Sequence, residues 1–167
     1  MQKSISQKKS NTVVEFILIV GSIIVIGFIA GLLSGANAGY TAFVRPPLTP
    51  PDWVFGVVWP ILYFMMGVSM FNAMQKYKNG EIDKQSFVAF TITFISQYAL
   101  NILWPFVFFS MQSPILSAII IAVLDGLVLT LIVMAFRKNK ASALLLIPYF
   151  LWLCFATYLN LYIAILN

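Results

Sequence analysis

The chain contains no histidine. That removes the side chain that most often serves as general base, haem ligand or zinc ligand, and with it any Ser/His/Asp triad. A single cysteine, Cys154, excludes an internal disulfide and any multi-cysteine metal centre. Within its apolar run it is expected to be a small buried hydrophobe and not a nucleophile. No metal site and no cofactor is therefore expected. Charge is also scarce, at 9% of 167 residues, against ~25% in a soluble domain. What fills the chain instead is apolar: hydrophobic residues make up 61%, above the usual ~45–50%. A water-soluble domain needs a polar surface that this composition cannot supply. In lipid every backbone N–H and C=O must be satisfied internally, which leaves helices or a closed barrel. Long apolar runs without period-two alternation exclude the barrel. The expected class is all-α, an integral membrane bundle.

Five apolar spans, each near the ~20 residues that cross a hydrocarbon core, fall at about 13–34, 53–74, 87–109, 114–136 and 142–166. Residues 1–12 read as a cytoplasmic tail and 13–166 as one five-helix membrane domain. Orientation follows from the basic residues. The tail, the second loop and the fourth loop share one side and hold Lys3, Lys8, Lys9, Lys76, Lys78, Lys84, Arg137, Lys138 and Lys140. Those are nine of the ten basic residues, and the opposite side has only Arg45. Positive charge stays cytoplasmic, so a multi-pass cell-membrane protein is expected, with its N-terminus inside and its C-terminus outside. The net charge of +5 is thus a topological signal, and spread over three segments it gives no indication of nucleic-acid binding. Ala36-Asn37-Ala38 after the first span imitates a signal-peptide cleavage site. The apolar stretch, however, exceeds the ~7–15 residues of such a signal, and a retained helix is favoured.

Gly27, Gly31 and Gly35 recur four apart at the end of the first span, and Ala118, Ala122 and Gly126 do so in the fourth. Such faces allow close helix approach in lipid, where packing drives association. They fit contacts within the bundle or a homodimer interface, and the pattern does not separate these.

The first loop, 35–52, is long for a bundle linker and carries Arg45-Pro46-Pro47-Leu48-Thr49-Pro50-Pro51. Prolines stiffen it, so it reads as a lid over an outward-opening cavity, with a plain spacer as the alternative. Trp53 fits an interfacial anchor. Trp59 lies roughly 9 Å deeper at 1.5 Å per residue, and Tyr63 follows at i+4 on the same face. Trp152, near the middle of span five, needs a partner for its N–H and is expected to face the bundle interior. Asn101, Asp125 and Asn160 place polar groups at depth. An ionisable residue there makes Asp125 a candidate site residue, with a helix–helix hydrogen bond as its structural alternative. Pro60, Pro105 and Pro148 can bend their spans and help open a cavity. Internal repeats or several intramembrane charges, the usual marks of a transporter, are not found.

Taken together, Arg45 to Tyr63, Ala99-Leu100-Asn101-Ile102-Leu103-Trp104 with Phe108-Phe109, Leu124-Asp125, and Ile147 to Asn160 resemble the ordered motifs of the TspO/MBR family, the translocator proteins. The resemblance runs from about Tyr40 to Asn160. It implies a five-helix bundle, commonly a homodimer, with a pocket capped by loop 35–52. It also implies binding of porphyrins such as protoporphyrin IX, of sterols and of benzodiazepine-site ligands. By position, Trp59, Tyr63, Asn101, Trp104, Phe108, Asp125, Trp152 and Ala156 are the implied ligand-binding residues, with Tyr40 and Pro50 in the lid. Trp59 and Trp152 also match the tryptophans implicated in light-dependent porphyrin degradation. The chain departs from the family at Leu48 and Gly39, which stand where tryptophans are usual, so a looser lid is expected. No Lys or Arg follows Tyr162, so the sterol pattern is incomplete.

Three functions share this pocket: a receptor or sensor for tetrapyrroles, which is the leading reading, a light- and oxygen-dependent porphyrin-degrading enzyme, and a carrier of porphyrin or sterol. The expected partners are a hydrophobic small molecule of the porphyrin type, the lipid bilayer and a second copy of the chain.

Overall fold

The computed structural model describes residues 2–36 and 43–166, with 2–10 described as backbone only. Every regular element among them is helical: α1 (Gln2–Leu33), α2 (Asp52–Lys78), α3 (Lys84–Pro105), a π-helical turn (Phe106–Ser110), α4 (Pro114–Lys138) and α5 (Lys140–Leu166). Five of these helices, α3 counted together with its π turn, are long and apolar enough to cross a membrane. The surface is apolar as well as the core. Leu18, Ile92, Ile119 and Leu151 are each more than half exposed, whereas Ser69, Gln97, Ser142 and Asn160 are fully buried. Lipid is the solvent that accepts such a surface, and the polar groups turn inward to find one another.

The helices are longer than the apolar spans that announce them. α1 is already helical at Gln2, within the segment read as a tail, because no proline or glycine interrupts the first twenty residues. α2 continues four residues past Met74 into a lysine-bearing turn. α3 starts at Lys84 instead of 87, since the Asp83 carboxylate accepts from the Ser86 backbone N–H at 2.8 Å and caps it. Hydropathy marks where lipid ends, and the helix ends where its backbone meets a cap or a breaker.

Neighbours in space run α1–α2–α5–α4–α3, and α3 approaches α1 and α2 only sparingly. α5 is the most enclosed, with Leu146, Tyr149, Leu153, Ala156 and Ile163 buried on one face at helical spacing. Glycine sets the α1–α2 distance from both sides. Gly27 lets the Tyr63 ring lie against α1, and Gly67 lets the Val20 backbone lie against α2. Ser69 and Ser142 exchange hydrogen bonds with each other's carbonyls at 3.1 and 3.0 Å, joining α2 to α5. At the other end the Trp104 Nε1–H donates to Asn160 Oδ1, and Asn160 Nδ2 donates to the Pro114 carbonyl, both at 2.9 Å. One asparagine thus ties α3, α4 and α5 together.

The α1 side of the basic end is secured by Glu15, which accepts from Gln75 Nε2 at 3.1 Å and pairs with Lys78. The charged segments grouped by sequence therefore lie at one end of the bundle. Cys154, expected to be buried, is exposed on the outer face of α5. In a membrane bundle the lipid-facing positions are as apolar as the core, so apolar sequence neighbours do not report burial.

Candidate ligand cavity

Where α3 stands away from α1 and α2, a cavity of ≈ 420 Å³ opens between α1, α2, α3 and α5. Such a volume lies within the ~300–1,000 Å³ of small-molecule sites. α1 contributes Gly27, Phe28 and Gly31, and at Gly31 the missing side chain leaves open space. α2 contributes Phe55, Trp59 and Tyr63, and α5 contributes Trp152 and Ala156, each pair or triplet sharing a helix face. α3 supplies Asn101, Trp104 and Pro105. Aromatic rings make up much of the wall: Trp59 lies against Tyr63 with ring centroids 5.6 Å apart, and Phe55 meets Trp152 edge-on at 5.7 Å.

Proline shapes this wall. Pro60 and Pro105 lack an N–H, so the carbonyls of Gly56 and Asn101, four residues earlier, forgo the usual helical bond. All four residues line the cavity. After Pro105 the helix widens, with Met111 N–H reaching back to the Phe106 carbonyl at 2.9 Å. Widened turns of this kind are frequent at functional sites. Pro148, the third proline named above, is not among the lining residues.

The cavity has a polar inner edge that the aromatic motif alone does not reveal. The Tyr63 hydroxyl donates to Asn101 Oδ1 at 3.0 Å, and Asn101 Nδ2 donates to the Tyr149 oxygen at 3.0 Å. The Tyr149 hydroxyl in turn donates to Gln97 Oε1 at 2.9 Å. Gln97 and Tyr149 are fully buried, so this chain of bonds holds the Asn101 amide at a set angle from behind. The sequence reading missed both supports. Gln97 lies one turn before Asn101 on the same face, and that spacing was the available signal. Gln97 Nε2 and Trp152 Nε1 are buried and have no hydrogen-bond partner among the described residues. Trp152 was expected to have one. Its ring lines the cavity, with the N–H buried.

Of the residues singled out from sequence, Trp59, Tyr63, Asn101, Trp104, Trp152 and Ala156 come together around this one cavity. Phe108 stands behind it, stacked on Trp104 at 5.1 Å and not among the lining residues. Asp125 lies elsewhere, on the seam of α4 and α5, where its carboxylate accepts from the Thr157 hydroxyl at 2.7 Å. That is the helix–helix hydrogen bond weighed as its structural alternative. Its second oxygen is buried and unpartnered among the described residues. Pro50 is half-buried and outside the lining set, and Tyr40 and Gly39 lie outside the described residues. The described part of loop 35–52 is held at this end of the bundle. Phe43 packs on Phe108 at 5.2 Å, the Tyr158 hydroxyl donates to the Pro47 carbonyl at 3.1 Å, and Arg45 reaches Asp52 at 3.5 Å. Leu48 is 80% exposed at φ 67, so a side chain there points away from the cavity wall.

No group of three or more His, Cys, Asp or Glu that could hold a metal occurs among the described residues. Comparison with known proteins agrees with the motif reading. The pattern of the TspO/MBR family matches residues 18–166. The tryptophan-rich protein TspO of Archaeoglobus fulgidus is 36% identical over 148 residues, covering 87% of this chain and 92% of that protein. The human translocator protein is 30% identical over 121 residues, covering 72% of this chain and 70% of its own length. The tryptophan-rich sensory protein of Cereibacter sphaeroides is 29% identical over 130 residues, covering 78% and 77%. By the breadth of that match and by its five-helix architecture, the chain is a membrane protein that belongs to the TspO/MBR family.

Proposed function

We propose that this protein is a membrane receptor or sensor that binds a tetrapyrrole of the protoporphyrin IX type in the cavity between α1, α2, α3 and α5, a site that also accepts flat aromatic benzodiazepine-site ligands. The observation that carries the reading is the pairing of two indoles, Trp59 and Trp152, on the wall of one cavity with a fixed polar edge at Tyr63 and Asn101. A flat macrocycle gains stacking area from the indoles. The Asn101 amide, held by Tyr63 and Tyr149, offers a donor to a carbonyl or carboxylate on its rim. The sensory name of the Cereibacter relative supports a signalling role over a purely structural one.

The same reading places the basic end of the bundle in the cytoplasm, following the charge partition. The cavity, near the end that holds Arg45 and Asp52, then opens toward the outside. A homodimer would use α4: Ala122 and Gly126 are exposed, and nothing lies within 4 Å of where a Gly126 side chain would begin. On α1, Gly27 is already engaged by Tyr63 and Gly31 faces the cavity.

Tryptophan fluorescence of the detergent-purified protein, titrated with protoporphyrin IX in the dark and then illuminated, tests the proposal against Trp152→Phe. Saturable dark quenching with stable pigment supports a receptor. Loss of pigment in light and oxygen that disappears in Trp152→Phe, with affinity retained, would move the assignment to the degrading enzyme. Flux of pigment into sealed vesicles would move it to a carrier. The absence of saturable quenching at micromolar pigment would overturn the tetrapyrrole reading.

A further inference from the structure

A second cavity lies at the opposite, basic end of the bundle, with a volume of ≈ 320 Å³. Its outer wall is polar: Gln85 and Ser86 from the first turn of α3, and Arg137 and Lys138 from the last turn of α4. An apolar wall is formed by Ala89 and Phe90 on α3 and Met134 on α4. The two helices pack against each other, and Val88 on α3 and Val133 on α4, next to lining residues in sequence, are exposed.

The two cations are not equivalent. Lys138 is held by Asp83 at 3.3 Å, and Asp83 is itself engaged by Ser86. Arg137 makes no side-chain hydrogen bond or ion pair among the described residues. Deeper in, Asn139 and Ser142 satisfy each other, Nδ2 donating to the Ser142 hydroxyl at 2.7 Å, so the floor makes no claim on an arriving anion. With Lys84 and Lys140 flanking and Asp83 the acid at this rim, the mouth carries a net positive charge.

We propose that this cavity binds the phosphate headgroup of an anionic phospholipid, with the Arg137 guanidinium as its charge contact, Gln85 as a neutral donor, and Phe90 and Met134 against the first acyl carbons. Guanidinium matches phosphate geometry with two parallel N–H groups. Basic pockets between membrane helices on the cytoplasmic side suit such headgroups. An amphipathic cavity at the level where polar headgroup meets acyl chain fits a lipid better than a free anion, because a free anion has no use for the apolar wall. The site is separate from the aromatic cavity and stands whether or not that cavity takes a tetrapyrrole.

Native mass spectrometry of the full chain in detergent, titrated separately with dioleoyl phosphatidylglycerol, dioleoyl phosphatidylcholine and inorganic phosphate, tests this. One phosphatidylglycerol is expected to be retained about fivefold more tightly than phosphatidylcholine, the value of roughly one basic contact at a membrane surface. Arg137→Gln should abolish that preference, Arg137→Lys should keep most of it, and Arg45→Gln at the other end should leave it untouched. Ala89→Trp, which fills the apolar wall without changing charge, should block phosphatidylglycerol as well. Equal retention of the two lipids, or an unchanged preference in Arg137→Gln, overturns the proposal, and so does unchanged phosphatidylglycerol retention in Ala89→Trp. Displacement of phosphatidylglycerol by equimolar inorganic phosphate overturns the lipid as occupant and assigns the same contacts to a soluble phosphate.

Discussion

Replacing Gly27 by alanine separates the packing argument from simple helix propensity. A methyl group at this position would lie 2.4, 2.5 and 2.9 Å from three carbons of the Tyr63 ring. Comfortable carbon contacts begin near ~3.5 Å, so the ring must retreat by roughly 1 Å. Tyr63 is buried and its hydroxyl is 3.0 Å from Asn101, a distance that such a shift breaks. Overpacking costs about 1–3 kcal/mol, and the lost hydrogen bond adds about 1 kcal/mol. Against this stands the preference of a helix for alanine over glycine, at most about 1 kcal/mol. The net is a destabilisation of about 1–3 kcal/mol, or a fall of about 2–12 °C in the unfolding midpoint for a chain of this size. Gly21 and Gly31, on the same helix, have nothing within 4 Å of the added carbon. Gly21→Ala and Gly31→Ala should therefore leave the midpoint unchanged or raise it. Thermal unfolding in detergent, followed by far-UV circular dichroism, reads all three. A Gly27→Ala midpoint equal to that of Gly21→Ala would refute the close-approach argument. Gly31→Ala carries a further signature, because its methyl enters the aromatic cavity and should weaken ligand binding while stability holds.

Tyr149→Phe removes the oxygen that accepts from Asn101 and donates to Gln97, leaving two buried amides short of a partner, and is expected to cost about 1–3 kcal/mol. Tyr63→Phe removes only one donor and should cost less, and equal midpoints for the two variants would refute the ordering of that chain. At the basic end, the backbone N–H and hydroxyl of Ser86, with Lys138 beyond, hold the Asp83 carboxyl well below the usual carboxylate range. Its folded-state pKa is depressed, so its stabilising cap is fully present above the ordinary aspartate value near ~3.9 and is lost as pH falls below that through the folded value. Acid unfolding of Asp83→Asn should accordingly show a weaker pH dependence in that window than the parent chain, and identical acid profiles would contradict the capping role.

Much of the architecture was legible because bilayer thickness imposes a length on apolar runs and the charge bias imposes a grouping on loops. Those constraints act on composition along the chain and need no knowledge of contacts. The motifs likewise announced six residues that meet at one cavity. Helix ends were less legible: α1 from Gln2 and α2 to Lys78 extend through polar turns that hydropathy assigns to loops. Burial was the least legible property. Cys154 faces outward and Asp125 turns to Thr157 away from the cavity, though their sequence surroundings match those of interior residues.

By itself, then, the sequence determined that the chain crosses the membrane in five helices, that its basic segments gather at one end, and that indoles and an asparagine lie within the spans. Only the tertiary structure decided which face of each helix meets which neighbour. It brought Gln97 and Tyr149 behind Asn101, left the Trp152 N–H without an acceptor among the described residues, and opened a second cavity beside Arg137. The physical reason is that lipid and protein interior are both apolar. Periodicity that in water would separate inside from outside is blurred, and the choice passes to close packing at Gly27 and Gly67 and to the few buried hydrogen bonds that must find one another.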